Sequence, residues 1–167
     1  MFMLLNLTIQ EKPRQKNMLV RKATFEDAEI ITAIEQSALD ETLGIPFLRQ
    51  ELLTNPFANY YIVEEHGFSI GYIGIRVVDD HGEILNFAVY KEKQRQGYGR
   101  FLFESVLKEM FHVGVTSMSL EVRKSNHIAI SFYQQYGFVE SYLRPNYYKD
   151  EDAIVYIKEF NHDYISD

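Results

Sequence analysis

The segment whose residue types most clearly indicate a functional site is a basic, glycine-containing loop at residues 91–100. An apolar, β-prone run precedes this loop, and a helical pattern follows it directly. A helix N-terminus offers backbone N–H groups to an anion, and glycine lets the main chain come close to phosphate oxygens. Four cations add positive charge around the turn: Lys91, Lys93, Arg95 and Arg100. The segment therefore predicts a binding site for a phosphorylated cofactor.

The glycine spacing in this loop matches neither of two common phosphate-binding motifs. Leu102 stands where a dinucleotide fingerprint needs its third glycine, and no Gly-Lys-Ser/Thr sequence closes a P-loop. Taken alone, the segment is equally well explained as a tight strand-to-helix turn with solvated charges. The rest of the chain has to decide between the two interpretations.

Length and composition describe an ordinary folded domain, with 167 residues, 46% of them hydrophobic and 25% charged. The absence of cysteine excludes disulfides, thiolate metal sites and a cysteine nucleophile, and it is compatible with a cytoplasmic location. The five histidines show no metal-ligand spacing, so we expect no metal. A net charge of −7 argues against nucleic-acid binding and suits a basic polypeptide partner.

Residues 1–17 form an extension ahead of a single expected domain at 18–167. The apolar start, residues 1–7, has no basic flank and no cleavage site and is too short to span a bilayer. We therefore expect neither a signal peptide nor a membrane segment. An extra strand, a disordered arm and a misassigned start, with Met18 as the true first residue, remain open for this extension.

The residue patterns predict a mixed α/β order, with antiparallel strands first and a β-α-β crossover later. Strands are predicted at 18–22, 60–64, 69–78, 83–90, 115–123, about 139–143 and 152–160. Helices are predicted from 24 to about 38, at 47–53, directly after the glycine loop, and from 125 or 126 to 136. This order suits one domain with a central sheet.

A second motif, at residues 120–138, identifies a family. It reads Leu-Glu-Val-Arg-Lys-Ser-Asn-His-Ile-Ala-Ile-Ser-Phe-Tyr-Gln-Gln-Tyr-Gly-Phe. Together with Gln94-x-x-Gly97-x-Gly99, it resembles the Gcn5-related N-acetyltransferase (GNAT) superfamily, and within it the bacterial ribosomal-protein-alanine N-acetyltransferases. Segments 144–148 and 151–154 resemble the same subfamily, so the resemblance covers about residues 18–160.

The resemblance implies the GNAT fold, which is a twisted, mixed, mostly antiparallel sheet flanked by helices and splayed where acetyl-CoA binds. It implies that strand backbone groups pair with the pantetheine arm, that the glycine loop holds the pyrophosphate, and that one asparagine hydrogen-bonds the cofactor. The residues so implied are Phe87, Ala88 and Val89 for the arm, Arg95, Gln96, Gly97, Tyr98, Gly99 and Arg100 for the pyrophosphate, and Asn126.

The resemblance also implies Glu121 as general base and Tyr133 as general acid. These residue types suit the reaction, because an α-amino group with a reference pKa of ~7.7–8.0 is largely protonated at neutral pH. A carboxylate can take that proton, and a phenol can supply one to the departing thiolate. Plainer interpretations remain open: a solvated Glu121, a Tyr133 that only packs, and an Asn126 that only caps a helix.

The expected reaction transfers acetyl directly to the N-terminal α-amino group of a protein, with the alanine terminus of ribosomal protein S18 favoured. The expected partner is thus a basic ribosomal protein, without nucleic acid or membrane. Residues 38–53 lack the Pro-Trp common in this subfamily, which puts the acceptor rather than the chemistry in question. The alternatives are a small amine or another protein terminus as acceptor, or a non-catalytic CoA-binding regulatory module.

Overall fold

The computed structural model describes residues 17–161, which form one seven-stranded sheet and four α-helices. The strands are β1 (Met18–Lys22), β2 (Ala58–Glu65), β3 (Phe68–Val78), β4 (His81–Val89), β5 (Ser117–Arg123), β6 (Val139–Tyr148) and β7 (Glu151–Glu159). The helices are α1 (Ala28–Ala38), α2 (Ile45–Thr54), α3 (Tyr98–His112) and α4 (His127–Gln135). None of these helices has the length and apolarity needed to cross a membrane. The expectations for the N-terminal extension concern residues outside the described range, apart from Asn17.

The strands lie in the order β1-β2-β3-β4-β5-β7-β6, and only the neighbours β4 and β5 run parallel. This arrangement confirms the predicted mixed, mostly antiparallel sheet. The pairing of β4 with β5 covers only residues 81–84 against 117–120. Beyond that point β4 stays paired with β3 up to Val89, and β5 stays paired with β7 up to Arg123. The sheet is therefore open between the second half of β4 and the end of β5.

A β-bulge on β4 lies where the opening begins. Gly74 of β3 pairs with Asn86 and its neighbour Ile75 pairs with Ile84, so Leu85 has no opposite residue in β3. A bulge bends its strand and increases the local twist. A side chain at Gly74 would not fit beside it, because a Cβ there would lie 2.6 Å from the ring of Tyr60. The bulge therefore turns β4 away from β5 at the point where their pairing stops.

Helices cover both faces of the sheet and bury two separate hydrophobic clusters. Tyr61 and Val63 of β2 pack in the cluster that contains α3, whereas Tyr60 and Ile62 pack in the cluster that contains α1. Successive strand residues point to opposite faces, so a strand buried on both sides needs an unbroken apolar run. The run at residues 60–63 meets that need. On β4, Ile84 and Val89 pack in the first cluster and Ala88 packs in the second, so β4 lies between the same two helical layers.

Candidate active site

Two adjoining cavities fill the opening between β4 and β5. The first, which we call the α3 cavity, has a volume of about 520 Å³ and lies against the glycine loop and the start of α3. The second, the β5 cavity, has a volume of about 450 Å³ and lies between β5 and residues 38–43. Tyr133, Phe87 and Asn126 line both cavities. These three residues therefore stand where the two spaces meet.

Most of the predicted cofactor residues line the α3 cavity: Phe87, Ala88, Val89, Arg95, Gly97, Gly99, Arg100 and Asn126. Gly97 is the N-cap of α3 and has a left-handed backbone with φ of 91°, which explains the glycine at this position. The first turn closes with a bond from the Phe101 N–H to the Gly97 carbonyl, 3.0 Å long. The amides of Gly99 and Arg100 therefore have no partner within the helix and can serve an anion.

Two predicted loop residues direct their side chains elsewhere. Tyr98 is 2% exposed, and its hydroxyl donates to a Glu65 carboxylate oxygen at 2.5 Å. This hydrogen bond and burial raise the pKa of Tyr98 to about 12. The Gln96 side chain donates to the Glu92 carbonyl at 3.0 Å. Neither side chain lines the α3 cavity, so the contact predicted for these two residues now rests on their backbone groups.

Gln94 has a role that the list of predicted site residues missed. Its Nε2 donates to the Val89 carbonyl at 3.1 Å, and this bond ties the glycine loop to the end of β4. Gln94 also lines the α3 cavity. The signal was present, because Gln94 is the first residue of the Gln94-x-x-Gly97-x-Gly99 motif. Backbone groups of Val89 are predicted to contact the cofactor, and its carbonyl oxygen already accepts this bond within the protein.

Asn126 caps helix α4, as one of the open interpretations held. Its Oδ1 accepts a hydrogen bond from the Ala129 N–H at 3.1 Å. Because only the carbonyl oxygen of the side chain is used in the cap, the Nδ2 group is left to donate into the cavities that Asn126 lines. Capping and cofactor binding are therefore compatible roles for this residue.

Tyr133 points from α4 to the junction of the two cavities. Its ring packs on Phe103 and Phe138, with centroids 5.6 and 5.9 Å away, and the residue is 9% exposed. Within residues 17–161 no hydrogen bond reaches its hydroxyl. Burial, with a smaller contribution from Tyr148, raises the pKa of Tyr133 above the usual value for tyrosine. Its hydroxyl therefore keeps its proton at neutral pH and can donate it.

The end of α4 fixes the position of Tyr133. Gly137 has φ of 82°, and its N–H bonds to the Gln134 carbonyl at 3.0 Å. The N–H of Phe138 bonds to the Tyr133 carbonyl at 3.2 Å. These two bonds form the Schellman motif that the Gly137-Phe138 pair predicts. The backbone of Tyr133 is thus anchored on its C-terminal side.

Glu121 lines the β5 cavity and forms an ion pair. Burial alternates along β5, and Glu121 lies on the side opposite the core residues Leu120 and Val122. Its side chain is 15% exposed, and its Oε1 accepts a hydrogen bond from Arg144 Nη1 on β6. The guanidinium of Arg144 also lies 4.4 Å from the ring centroid of Tyr147. Glu121 is therefore a partly buried, paired carboxylate and not a freely solvated one.

Residues 38–43 form the wall of the β5 cavity opposite β5, and a buried carboxylate that the sequence analysis missed holds this wall. Glu35 is 0% exposed and accepts a hydrogen bond from the Leu43 N–H at 3.0 Å. A signal for it existed, because Glu35 falls on the same helical stripe as Ala28, Ile31 and Ala38, where a charge is out of place. A charged residue on an apolar helical stripe indicates a buried polar group.

Known proteins are similar to this chain in sequence and in architecture. The profile of the Acetyltransferase (GNAT) family matches residues 24–138. A protein of Bacillus subtilis (strain 168), provisionally named a ribosomal protein bS18-alanine N-acetyltransferase, is 36% identical over 138 residues, which is 81% of this chain and 91% of its own. The crystal structure of the ribosomal-protein-S18-alanine N-acetyltransferase from Escherichia coli superposes with a TM-score of 0.80 at 28% identity, over 90% of this chain and 99% of that one.

A third comparison shows the fold alone. The paia N-acetyltransferase of Thermoplasma acidophilum, solved in complex with coenzyme A, has a TM-score of 0.75 at 18% identity, over 86% of this chain and 99% of its own. The family match and the Escherichia coli structure show that this mixed sheet, which opens at its parallel pair β4–β5 beside a glycine-led helix, is the architecture of an N-acetyltransferase. The chain belongs to the Acetyltransferase (GNAT) family.

Proposed function

We propose that this enzyme transfers the acetyl group of acetyl-CoA to the N-terminal α-amino group of a protein, with the alanine terminus of ribosomal protein bS18 as acceptor. The observation that carries this proposal is the meeting of two cavities at Tyr133, one suited to a donor and the other to an acceptor. The names of the similar proteins from Bacillus subtilis and Escherichia coli support the choice of acceptor.

The α3 cavity fits an acyl carrier with a pyrophosphate. The amides of Gly99 and Arg100 lie at the positive end of the helix dipole, and the side chains of Arg95 and Arg100 add charge beside them. A Cβ at Gly99 would lie 3.4 Å from the Phe87 ring, so the main chain lies close to β4 here. The strand edge at 85–89 has lost its partner β5 and offers backbone groups to an amide-containing arm.

In the proposed mechanism, two residues move protons while the C–S bond of the thioester breaks and a C–N bond forms. Acetyl-CoA supplies an acetyl group already activated as a thioester. Glu121 takes a proton from the attacking amine, directly or through one water, and its Oε2 is suited to this because Oε1 contacts Arg144. The hydroxyl of Tyr133 gives its proton to the leaving sulfur. The raised pKa of Tyr133 keeps its hydroxyl protonated at neutral pH, so the proton is available when the C–S bond breaks.

The domain boundary is part of the proposal. Because β1 begins at Met18, we propose that the catalytic domain starts there and that residues 1–17 precede it as an extension. A net charge of −7 suits a basic ribosomal protein as partner. We expect the enzyme to work in the cytoplasm, where ribosomal proteins are made.

Mass spectrometry of ribosomal proteins tests the acceptor. Purified enzyme and acetyl-CoA are incubated with bS18 that lacks N-terminal acetylation, with other ribosomal proteins, and with a polyamine. One acetyl group on the bS18 terminus is the expected product. Transfer to the polyamine but to no protein terminus would refute the choice of acceptor.

A pair of carboxylate variants tests the chemistry. Glu121→Gln should lower turnover by ~10²–10⁴-fold while the affinity for coenzyme A stays within about twofold. Glu140→Gln is the matched control, because Glu140 is an exposed glutamate on β6 that lines neither cavity. If the Glu121→Gln variant turned over as fast as the Glu140→Gln variant, Glu121 would not be the general base. The base would then have to lie elsewhere in the site.

A further inference from the structure

Glu35 of α1 is a fully buried carboxylate that the proposed mechanism does not use. No ion pair within residues 17–161 involves it, and its charge is met by hydrogen bonds alone. Its Oε2 accepts from the Leu43 N–H at 3.0 Å. Its Oε1 accepts from the Tyr72 hydroxyl at 2.5 Å and from Asn86 Nδ2 at 3.2 Å. Burying a charge without a counter-ion is costly, so this arrangement needs all three donors.

The three donors come from three different parts of the fold. Leu43 lies in the wall of the β5 cavity, and Asn86 lies on β4 next to the bulge at Leu85. Tyr72 is a fully buried residue of β3, so it anchors the group to the sheet. A single carboxylate therefore joins the cavity wall to the strand at the place where that strand leaves β5.

The hydrogen bonds of this network act on one cavity. Leu43 and Asn86 line the β5 cavity, and neither lines the α3 cavity. Ala38 and Leu39 of the wall line both cavities, but the Leu39 N–H bonds to the Glu35 backbone carbonyl at 2.7 Å, and this bond does not use the carboxylate. If the network is broken, the separation between residues 38–43 and β4 is no longer fixed, whereas the glycine loop keeps its own bond from Gln94 to Val89. The acceptor side should therefore change while the donor side does not.

We propose that Glu35 is a positioning residue for the acceptor, because it fixes the wall at residues 38–43 against the bulge of β4. This inference rests on the proposed function, in which the β5 cavity receives the N-terminus of the acceptor. Misplacing a bound reactant by about 1 Å can cost ~10²-fold in rate, so loosening this wall should matter for transfer. The side chain itself touches no reacting atom.

Three variants of Glu35 test this role in the full chain. Glu35→Leu removes both acceptor oxygens and therefore all three hydrogen bonds, and Glu35→Asp keeps the charge but draws it back by one methylene, so that it cannot reach both sides. Glu35→Gln restores the reach, since its amide can accept from the Leu43 N–H and donate to the Tyr72 hydroxyl oxygen, and to Asn86 Oδ1 once the Asn86 side-chain amide flips. The acceptor KM for a bS18 N-terminal peptide should rise by about 10–100-fold in the Leu and Asp variants and recover in Gln. The dissociation constant for coenzyme A should stay within about twofold in all three.

Glu51→Leu is the matched control. Glu51 is 8% exposed on α2, bonds to Asn55 at 2.9 Å and to Arg76 at 3.5 Å, and lines neither cavity. Its loss should lower the midpoint of thermal unfolding without changing the acceptor KM. A Glu35→Asp variant with the wild-type acceptor KM, or a Glu51→Leu variant with an equal rise, would reduce Glu35 to a purely structural residue.

Hydrogen exchange separates this inference from the proposed function. The Leu43 amide should exchange faster in Glu35→Asp than in the wild-type protein, and at the wild-type rate in Glu51→Leu. Unchanged exchange at Leu43 overturns the inference even if the enzyme is active. Failure of the wild-type enzyme to acetylate any protein terminus refutes the proposed function instead, and the exchange rates then decide whether Glu35 holds the wall.

Discussion

Replacing Tyr133 by phenylalanine should abolish most turnover and leave the fold intact. The variant removes only the hydroxyl, and the ring keeps its packing on Phe103 and Phe138. Loss of a positioned general acid lowers turnover by ~10²–10⁴-fold, which at 1.36 kcal/mol per factor of ten is about 2.7–5.4 kcal/mol of transition-state stabilisation. Because no hydrogen bond within the described residues uses that hydroxyl, the free energy of unfolding should change by less than about 0.5 kcal/mol.

Tyr136→Phe gives the opposite pattern and is the control. Tyr136 lies one turn further along, and its hydroxyl donates to Glu104 Oε1 at 2.9 Å. Because the Glu104 side chain is 45% exposed, solvent screens this bond, and its loss should cost about 0.5–1 kcal/mol of stability. Turnover should stay at the wild-type level, since Tyr136 lines neither cavity of the site.

The assay is steady-state release of free thiol from acetyl-CoA, measured beside calorimetric titration with coenzyme A and urea unfolding of both variants. Because burial raises the pKa of Tyr133, ionisation of this phenol should cause no loss of turnover below pH ~10. Tyr133→Phe with more than a tenth of wild-type turnover would refute its role as the acid. A loss of activity in Tyr136→Phe as large as that in Tyr133→Phe would show that the helix, and not the hydroxyl, matters.

Three further predictions concern the glycines and the tyrosines. Gly99→Ala should weaken coenzyme A binding by about tenfold or more in calorimetry, yet leave the free energy of unfolding unchanged or raise it by up to about 1 kcal/mol, because alanine favours helix; weaker folding with normal binding would contradict this. Gly74→Ala should lower the free energy of unfolding by about 1–3 kcal/mol in urea, because its Cβ would lie 2.6 Å from the Tyr60 ring. Stability should fall as the pH rises above ~10, since the folded protein raises the pKa of Tyr61 and of Tyr98 to about 12 and unfolded tyrosines ionise first; a flat stability from pH 9 to 11.5 would argue against these shifts.

The order of the elements was predictable because each has a local cause. The Thr24/Asp27 pair predicts a capping box at the start of the first helical segment, and the Thr24 N–H donates to the Asp27 carboxylate at 2.7 Å. The first turn, Phe25–Asp27, is a 3-10 helix, so α1 begins at Ala28 and not at the predicted residue 24. Gly137 ends the last helix by the predicted Schellman motif. The boundaries were less accurate where pairing decides them: the strand predicted at about 139–143 continues to Tyr148, because it stays beside β7 past Pro145.

The candidate site was predictable only in part. The glycine loop, Asn126 and Tyr133, which the family resemblance pointed to, do lie at the two cavities, and their roles in binding and catalysis stay predictions. The sequence analysis did not find the ion pair of Glu121 with Arg144 or the buried network of Glu35, because both join residues far apart in the chain. Such contacts depend on strand register, which a single sequence does not reveal.

The short contact between β4 and β5 has a consequence for the whole molecule. Two antiparallel ribbons, β1 to β4 and β5-β7-β6, are joined edge to edge by a seam of four residue pairs. A ligand in the α3 cavity contacts β4 of the first ribbon and helix α4, which connects β5 to β6 of the second, and it therefore links the two ribbons. At a hundredfold excess over its dissociation constant, such a ligand adds ~2.7 kcal/mol to stability. The bound donor would thus be a structural part of the enzyme during each cycle, and its departure would leave the two ribbons less firmly joined.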